Sequence, residues 1–571
     1  MIFICISFII IPAAALAQVP PGRDAGTAGE GLRKEEETEM LKERLVEEQV
    51  EPSIEEKEKL ETGAPEERRM KEEARVYIEV IRVEGVTIIG ESVISQVVST
   101  FEGRELSLED FAAAADCITA EYRKLGYVTS FAYVPPQKIT DDTLVIQVQE
   151  GTVGDVSIEN NRFFTDELLL NYLDARKDDI FNYDALRDSV NYINRHPDRS
   201  ANVVLARGEE RGSTDVNINL EDRLPLHAIL GYNNFNSRYV NRNKYFVELQ
   251  YNNFLGLDHR VSGEFQQGHT DKFHLASARY TIPINRKSEA GLYYIHLDQD
   301  IGKELEHLNI HGEGDFLSLF YSYELISNEN LTLSVNPGFE WKDIENKLRA
   351  DLISEDKVRI AKLGLDLDVL DPFKGRTIIT TEFDFGIEDF LDGMDQEDVG
   401  ASRAGAGGKF FRVVTNAARV QELPHSMSLM LRGAMQLTGD DLVAAEQFSI
   451  GGMYTVRGYP LAEASGDRGY TFTSELYLPP FFLPKDYKIP YTETALFDAL
   501  RFMFFIDCGY VENQNPLPGE KKDKALFGFG PAVRFEIPQK LTASFDYGIA
   551  IGHDASDGTD SRAYVEVKTY F

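Results

Sequence analysis

From about Leu226 to its last residue the chain runs strand after strand with apolar and polar residues alternating. In the final segment Ala563, Val565, Val567, Thr569 and Phe571 fall on one face, and Tyr564, Glu566, Lys568 and Tyr570 on the other. A period of two gives one face suited to lipid and one suited to water. A strand crosses a bilayer in about 9 to 11 residues, and only a closed barrel satisfies every backbone donor and acceptor in hydrocarbon. The pattern therefore predicts a transmembrane β-barrel over residues 225–571, ending on an aromatic as bacterial outer-membrane barrels do. Sixteen antiparallel strands are expected, starting near residues 227, 244, 259, 273, 289, 315, 330, 358, 376, 409, 426, 469, 500, 525, 541 and 562. An even number returns both barrel ends to one side, so the segments before residue 225 share the periplasm with Phe571. The other face of these strands is charged. Lys362, Asp366 and Asp368 lie opposite Leu363, Leu365, Leu367 and Val369, which predicts a wet lumen holding something that meets those charges.

Before the barrel, the apolar run Ile2 to Leu16 ends in Ala15-Leu16-Ala17 and reads as a signal peptide over residues 1–17, too short to span. Residues 18–75 form a charged linker broken by Pro52 and Pro65. Within it residues 34–50 favour a helix, with Leu41 and Leu45, and Val46 and Val50, at i, i+4 spacing. The net charge of -36 argues against a nucleic-acid partner. Cys5 leaves with the leader, while Cys117 and Cys508 sit in unrelated elements, so neither a disulfide nor a metal site is expected. No cofactor motif is present: Gly405 to Lys409 is followed by Phe410 and lacks phosphate-loop spacing, and no nucleophile and base stand out for catalysis.

Between linker and barrel, two stretches repeat one order of elements. Residues 76–151 read as strand Tyr77–Val83, helices over 91–101 and 107–125, and strands Val128–Val134 and Leu144–Val148. Residues 152–223 read as strand Val153–Ile158, helices over 165–174 and 183–194, and strands Ala201–Arg207 and Thr214–Leu220. These are tandem copies of one α+β module.

The long segment between the eleventh and twelfth strands contains Val456-Arg457-Gly458-Tyr459, with Gly451 and Gly452 just before it. Strand thirteen carries Phe505, Asp507 and Gly509. Its lipid face is Leu500, Phe502, Phe504 and Ile506, so Phe505 and Asp507 point inward. An arginine reaching into a lumen needs a carboxylate, and Asp507 is an inward one. The first module adds Leu125-Gly126-Tyr127-Val128 followed by Tyr133-Val134-Pro135-Pro136-Gln137, and the second Asn194-Arg195-His196-Pro197. Together these resemble the two-partner secretion transporters of the hemolysin-activator and filamentous-hemagglutinin type, in the outer-membrane-protein assembly superfamily, whose periplasmic modules are called POTRA domains.

The resemblance implies an outer-membrane transporter that binds a secreted exoprotein through that protein's N-terminal secretion domain and passes it unfolded to the cell surface. It implies that the 456–459 loop folds into the barrel, pinned by Arg457 on Asp507, and that the helix at 34–50 plugs the lumen. A solvated spacer is the other reading of that acidic helix. The candidate client edge is the strand carrying Tyr127, Val128, Phe131 and Tyr133; burial preferences favour reading Tyr127, Phe131 and Tyr133 as core or sheet-packing residues over client contacts. The expected partners are the exoprotein and outer-membrane lipid, with the transporter a monomer. Two rivals remain. A barrel insertase usually carries more than two modules, and a diffusion porin gives no reason to set Arg457 beside Asp507.

Overall fold

In the computed structural model the described residues are 25, 26, 38, 40–42, 44, 45, 54–56, 75–328, 330–518 and 520–571. The expected signal peptide and most of the linker lie outside them. Described residues of the 34–50 segment are helical.

The first module has strands Val76–Ile78 and Val80–Glu84, helix Glu91–Val98, strand Arg104–Leu106, helix Leu108–Lys124, and strands Phe131–Tyr133 and Thr143–Gln149. The long helix begins in a capping box: the Ser107 hydroxyl accepts from the Asp110 amide, and the Asp110 carboxylate accepts from the Ser107 amide. Phe111, Ala114, Ala115, Ile118 and Tyr122 form its buried stripe, packed on the inward residues Leu144, Ile146 and Val148. Gly126, at φ +84°, ends it: the Tyr127 amide bonds Tyr122 O and the Gly126 amide bonds Arg123 O, a Schellman closure.

That closure shortens the expected strand Val128–Val134. Residues 126–130 are spent in tight turns, Val128 N to Gly126 O and Ser130 N to Tyr127 O, so only Phe131–Tyr133 joins the sheet. Beyond Pro135-Pro136 the Gln137 carboxamide takes the strand's place. Its oxygen accepts from Val145 N at 2.9 Å and its nitrogen donates to Val145 O at 2.6 Å.

The second module has strand Thr152–Glu159, helices Asp166–Asn171 and Tyr183–Asn194, and strands Arg199–Arg207 and Ser213–Asp222. Ile54–Glu56 adds to its sheet, parallel to Arg199–Arg207. The two modules are joined by main-chain contacts. Tyr183 N donates to Gly126 O at 2.9 Å, the Asn182 side chain donates to Leu125 O at 3.0 Å, and Val128 packs on the second core.

The barrel is closed by sixteen antiparallel strands: Leu226–Asn233, Lys244–Phe254, His259–Gly268, Phe273–Asn285, Ser288–Asp300, Ile310–Asn328, Leu331–Leu348, Asp351–Asp371, Gly375–Gly386, Phe411–Leu423, Met427–Thr438, Arg468–Leu478, Leu500–Glu512, Asp523–Ile537, Leu541–Ile551 and Ser561–Tyr570. The last pairs with the first, and Phe571 and Ala228 exchange both backbone bonds. Among the described residues no helix is long and apolar enough to cross a membrane. Strands six and eight begin at Ile310 and Asp351, several residues before the expected 315 and 358. Their extra turns of ladder carry His311, Glu313, Glu355 and Lys357 on the outer wall, where a strand that has left the bilayer has no reason to alternate with apolar residues.

The lumen is occupied. Loop 439–467 folds into it, and so do N-terminal residues. Ala25 is fully buried with its amide on the Asn346 side chain, close to the extracellular end of strand seven. Leu41 and Leu45 pack with Ile378, Ala418 and Met430, close to the periplasmic ends of strands nine to eleven. Arg44 stands 3.5 Å from Asp366 and 3.8 Å from Asp368. The acidic helix thus meets the lumen's carboxylates through a basic residue.

Candidate functional site

Loop 439–467 descends as a small hairpin, Phe448–Ile450 paired with Ala464–Gly466, and its tip is the stretch 451–463. Gly451, Gly452 and Gly458 all hold positive φ. The Thr455 hydroxyl closes the first turn, accepting from Gly451 N and donating to Gly451 O. The tip lies flat on the inner wall because glycines face it on three successive strands. A Cβ on Gly509 would stand 2.9 Å from Val456, and one on Gly528 or Gly548 would overlap the Arg457–Gly458 backbone. Val456 is thereby sealed in an apolar cluster with Phe448, Ile450, Val511 and Leu526.

Arg457 is 1% exposed. Its Nε and Nη2 each donate at 2.8 Å to the two oxygens of Asp507, and its backbone amide adds a third bond at 3.1 Å. Nη1 reaches Asp546 at 3.0 Å, and Nη2 reaches Glu475 at 2.9 Å. The guanidinium lies 3.5 Å over the Phe505 ring, a cation–π contact in a desolvated place. Neighbouring arginines balance the surplus carboxylates: Arg534 holds Asp546 through two bonds at 2.6 and 2.9 Å, and Arg432 meets Glu475 at 3.3 Å. The Tyr477 hydroxyl donates to the other oxygen of Glu475. Three guanidiniums thus face three carboxylates, the condition for holding charge in a part of the lumen that is buried from water.

The rest of the motif is fastened to strands fifteen and sixteen. Gly458 N donates to the Tyr564 hydroxyl at 3.2 Å, which in turn donates to Tyr459 O. The Tyr459 hydroxyl is directed between Ile551 O and His553 O. Glu463, with a fully buried side chain, accepts from Lys524 at 2.7 Å and from Ser556. The loop's foot has its own anchors. Glu446 bonds Arg412 and Lys342 at 2.7 and 2.8 Å, and Asp467 bonds Arg403 at 2.9 Å.

The structure therefore brings together Val456, Arg457, Gly458, Tyr459, Phe505, Asp507 and Gly509, as sequence reasoning grouped them. It also adds Glu475, Asp546, Arg534, Gly528, Gly548 and Glu463, which that reasoning did not name. Inward placement by period two was the available signal for the carboxylates. The four residues of the candidate client edge are not brought together. Phe131 and Tyr133 share the three-residue edge strand with ring centroids 6.0 Å apart, Tyr127 packs on the core of its own module, and Val128 belongs to the next.

Cys117 and Cys508 are free. Among the described residues one metal-capable group exists, His296, Glu313 and Asp315 on neighbouring strands, a proximity that spacing along the chain does not reveal. It is half-exposed on the outer wall, and Asp315 is already bonded by His296 at 3.0 Å and by the Tyr294 hydroxyl at 2.5 Å.

Comparison with known proteins agrees with this architecture. Residues 212–535 match the family described as haemolysin secretion/activation protein ShlB/FhaC/HecB. Residues 76–151 match the ShlB-type POTRA domain, and residues 152–223 match a POTRA family described as surface antigen variable number repeat. The chain is 21% identical over 449 residues to the heme/hemopexin transporter protein HuxB of Haemophilus influenzae, covering 77% of each. It is 20% identical over 446 residues to the outer membrane transporter CdiB of Dickeya dadantii, covering 76% of each. The solved structure of CdiB from Escherichia coli superposes with a TM-score of 0.74 at 19% identity, over 95% of this chain and 99% of that one. BamA from Haemophilus ducreyi lacking POTRA domains 1–3 gives 0.51 at 14% identity, over 87% of this chain and all of that one. A family match over more than half the chain, a closed sixteen-stranded barrel and two POTRA domains place this protein in the ShlB/FhaC/HecB family of outer-membrane transporters.

Proposed function

We propose that this protein exports one partner exoprotein, taken from the periplasm in an unfolded state and passed through the barrel to the cell surface. The observation that carries the reading is how the lumen is closed. It is filled by two removable pieces, the loop pinned through Arg457 and the N-terminal helix held by Leu41, Leu45 and Arg44. A diffusion porin has no use for such a closure. With both pieces withdrawn, a sixteen-stranded wall leaves room for an extended chain, whereas folded domains are wider.

The POTRA domains supply recognition in this reading. The edge strand Phe131–Tyr133 accepts an extended client segment, its two aromatic rings selecting side chains, and full β-augmentation requires the client to displace the Thr119 hydroxyl that holds the Ala132 amide at 2.9 Å. The Gln137 carboxamide limits the docking site by occupying Val145. The client presents an N-terminal secretion domain to this edge, and the transporter works as a monomer. Arg457, Asp507, Glu475 and Asp546 act as the lock that releases the loop when a client enters.

The test is deletion of the gene with complementation. Loss of one large protein from the culture medium, restored by the wild type, with other outer-membrane barrels at normal abundance, supports the proposal. An unchanged medium with depleted barrels points to an insertase and rejects it.

A further inference from the structure

Six of the seven periplasmic links of the barrel are two to four residues long, whereas the link between strands twelve and thirteen runs from 479 to 499. It is folded. Phe481 N and Leu483 N bond back to Pro479 O and Pro480 O, and Ile489 N and Leu496 N close a hairpin on Thr494 O and Tyr487 O. Pro479, Pro480, Pro484 and Pro490 stiffen it. Yet this fold hides only part of its own apolar surface. Phe497 is buried beneath Lys485 and Arg501, while Phe481 is 63% exposed, Phe482 73%, Tyr487 56% and Tyr491 fully.

The position of these rings identifies what covers them. The Phe482 ring lies 6.0 Å from that of Phe502, a residue on the lipid face of strand thirteen, so the link continues the lipid-facing wall at Phe482. On the same two strands the opposite end of the apolar wall is marked by Tyr470 and Tyr510, stacked at 5.7 Å. Tyr510 and Phe502 are eight residues apart, about 27 Å along a strand, or about 20 Å of height at a tilt near 40°. The apolar band of such barrels is about 25 Å tall, with aromatic girdles at both edges. The lower edge of the bilayer thus falls a few ångströms beyond Phe502, at the level of the Phe482 ring. Charge contributes little, since Lys488 is paired with Glu493 and Lys485 is offset by Asp486.

We propose that the 479–499 hairpin is a membrane-interface anchor, its aromatic side chains Phe481, Phe482 and Tyr487 seated among the headgroups and upper acyl chains of the inner leaflet. The wall it fastens is the one bearing Glu475 and Asp507. This inference stands apart from the export proposal, because it requires only a barrel in a bilayer.

The test uses the full chain in phosphatidylethanolamine and phosphatidylglycerol vesicles. The single native tryptophan is removed as Trp341→Phe, and Phe482→Trp or Phe481→Trp supplies the probe. Heat-modifiable migration on gels confirms that each variant folds. With shallow brominated lipid (bromines at carbons 6 and 7) replacing part of the phosphatidylethanolamine, emission from both probes is expected to fall at least twofold. Acrylamide is expected to quench at least threefold less than it quenches free tryptophanamide. Quenching by acrylamide at the free rate, with no effect of brominated lipid, would overturn the inference and leave the patch facing water, open to a periplasmic protein.

Discussion

Replacing Arg457 by alanine removes the one side chain that touches Asp507, Asp546 and Glu475 together, and the consequences differ among them. Asp546 keeps both bonds from Arg534, and Glu475 keeps Arg432 and the Tyr477 hydroxyl. Asp507 loses its bidentate partner and retains only the backbone amide of residue 457. A fully buried carboxylate stripped of its cation costs about 3–5 kcal/mol. At about 1.4 kcal/mol per tenfold, the docked loop loses roughly two to three and a half decades against the undocked one. The barrel itself keeps its sixteen-strand ladder, so heat-modifiable migration stays normal. Met453, buried at the loop tip, reports the change. As Met453→Cys, in a background freed of Cys117 and Cys508, it should react with a membrane-impermeant maleimide at least a hundredfold faster once Arg457→Ala is added. Arg457→Lys should fall between, since lysine keeps the charge without the fork. Arg457→Ala with Asp507→Ala should regain most of the docking, because the stranded charge is gone. Wild-type reactivity in Arg457→Ala, or a double variant as reactive as the sum of its parts, would refute the reasoning.

The glycine floor makes a second prediction: Gly528→Val or Gly548→Val drives a side chain into the Arg457–Gly458 backbone, so the same Met453→Cys probe should become reactive while the barrel still folds. In planar bilayers Leu45→Asp should raise conductance well above wild type, because it adds a third carboxylate next to the Arg44 that meets Asp366 and Asp368 and removes an apolar contact with Ile378 and Met430; an unchanged conductance would mean the helix does not close the pore. In the first POTRA domain burial raises the Glu150 carboxyl, but bonds from the Thr87 hydroxyl, the Tyr122 hydroxyl and the amides of Thr87 and Ile88 outweigh it and hold the group below its ordinary 4.5. A depressed folded value means a stabilisation that is complete above about pH 4.5 and disappears as pH falls through the folded value. The melting temperature of this domain should therefore drop on acidification from pH 6 to 3 by more in wild type than in Glu150→Gln, and equal drops would contradict the assignment.

Much of the fold is legible because the bilayer enforces it. A strand with lipid on one side and water on the other must alternate, so the count of sixteen and most strand starts can be read from residue type alone. The reading weakens where that constraint ends. Strands six and eight continue above the bilayer with His311, Glu313, Glu355 and Lys357 outward, and nothing in those residues distinguishes ladder from loop. The edge of the first POTRA domain shows the opposite failure. The apolar alternation from Val128 to Val134 looks like a strand, but the turn closed at Gly126 consumes its first half, and Val128 turns away to the neighbouring core. The Arg457–Asp507 pair is visible because an arginine between glycines needs an inward carboxylate. Glu475 and Asp546 are also inward, but so are many others, and only the stagger of the closed barrel selects the two that reach the same guanidinium. The long link 479–499 breaks the rule of short periplasmic turns, and its aromatics become meaningful only when Phe482 is seen against Phe502.

The central claim is that the barrel conducts an unfolded partner by itself, and reconstitution tests it most directly. The exoprotein lost from the medium on gene deletion, diluted from urea onto vesicles holding only the purified transporter, should become protected from external protease. Protection should be abolished when an engineered disulfide keeps a folded domain closed in the client, and reduced at least tenfold with Arg457→Ala, whose loop no longer returns to its lock. Protection that is equal in vesicles without transporter, or that persists with the folded client, would contradict the account.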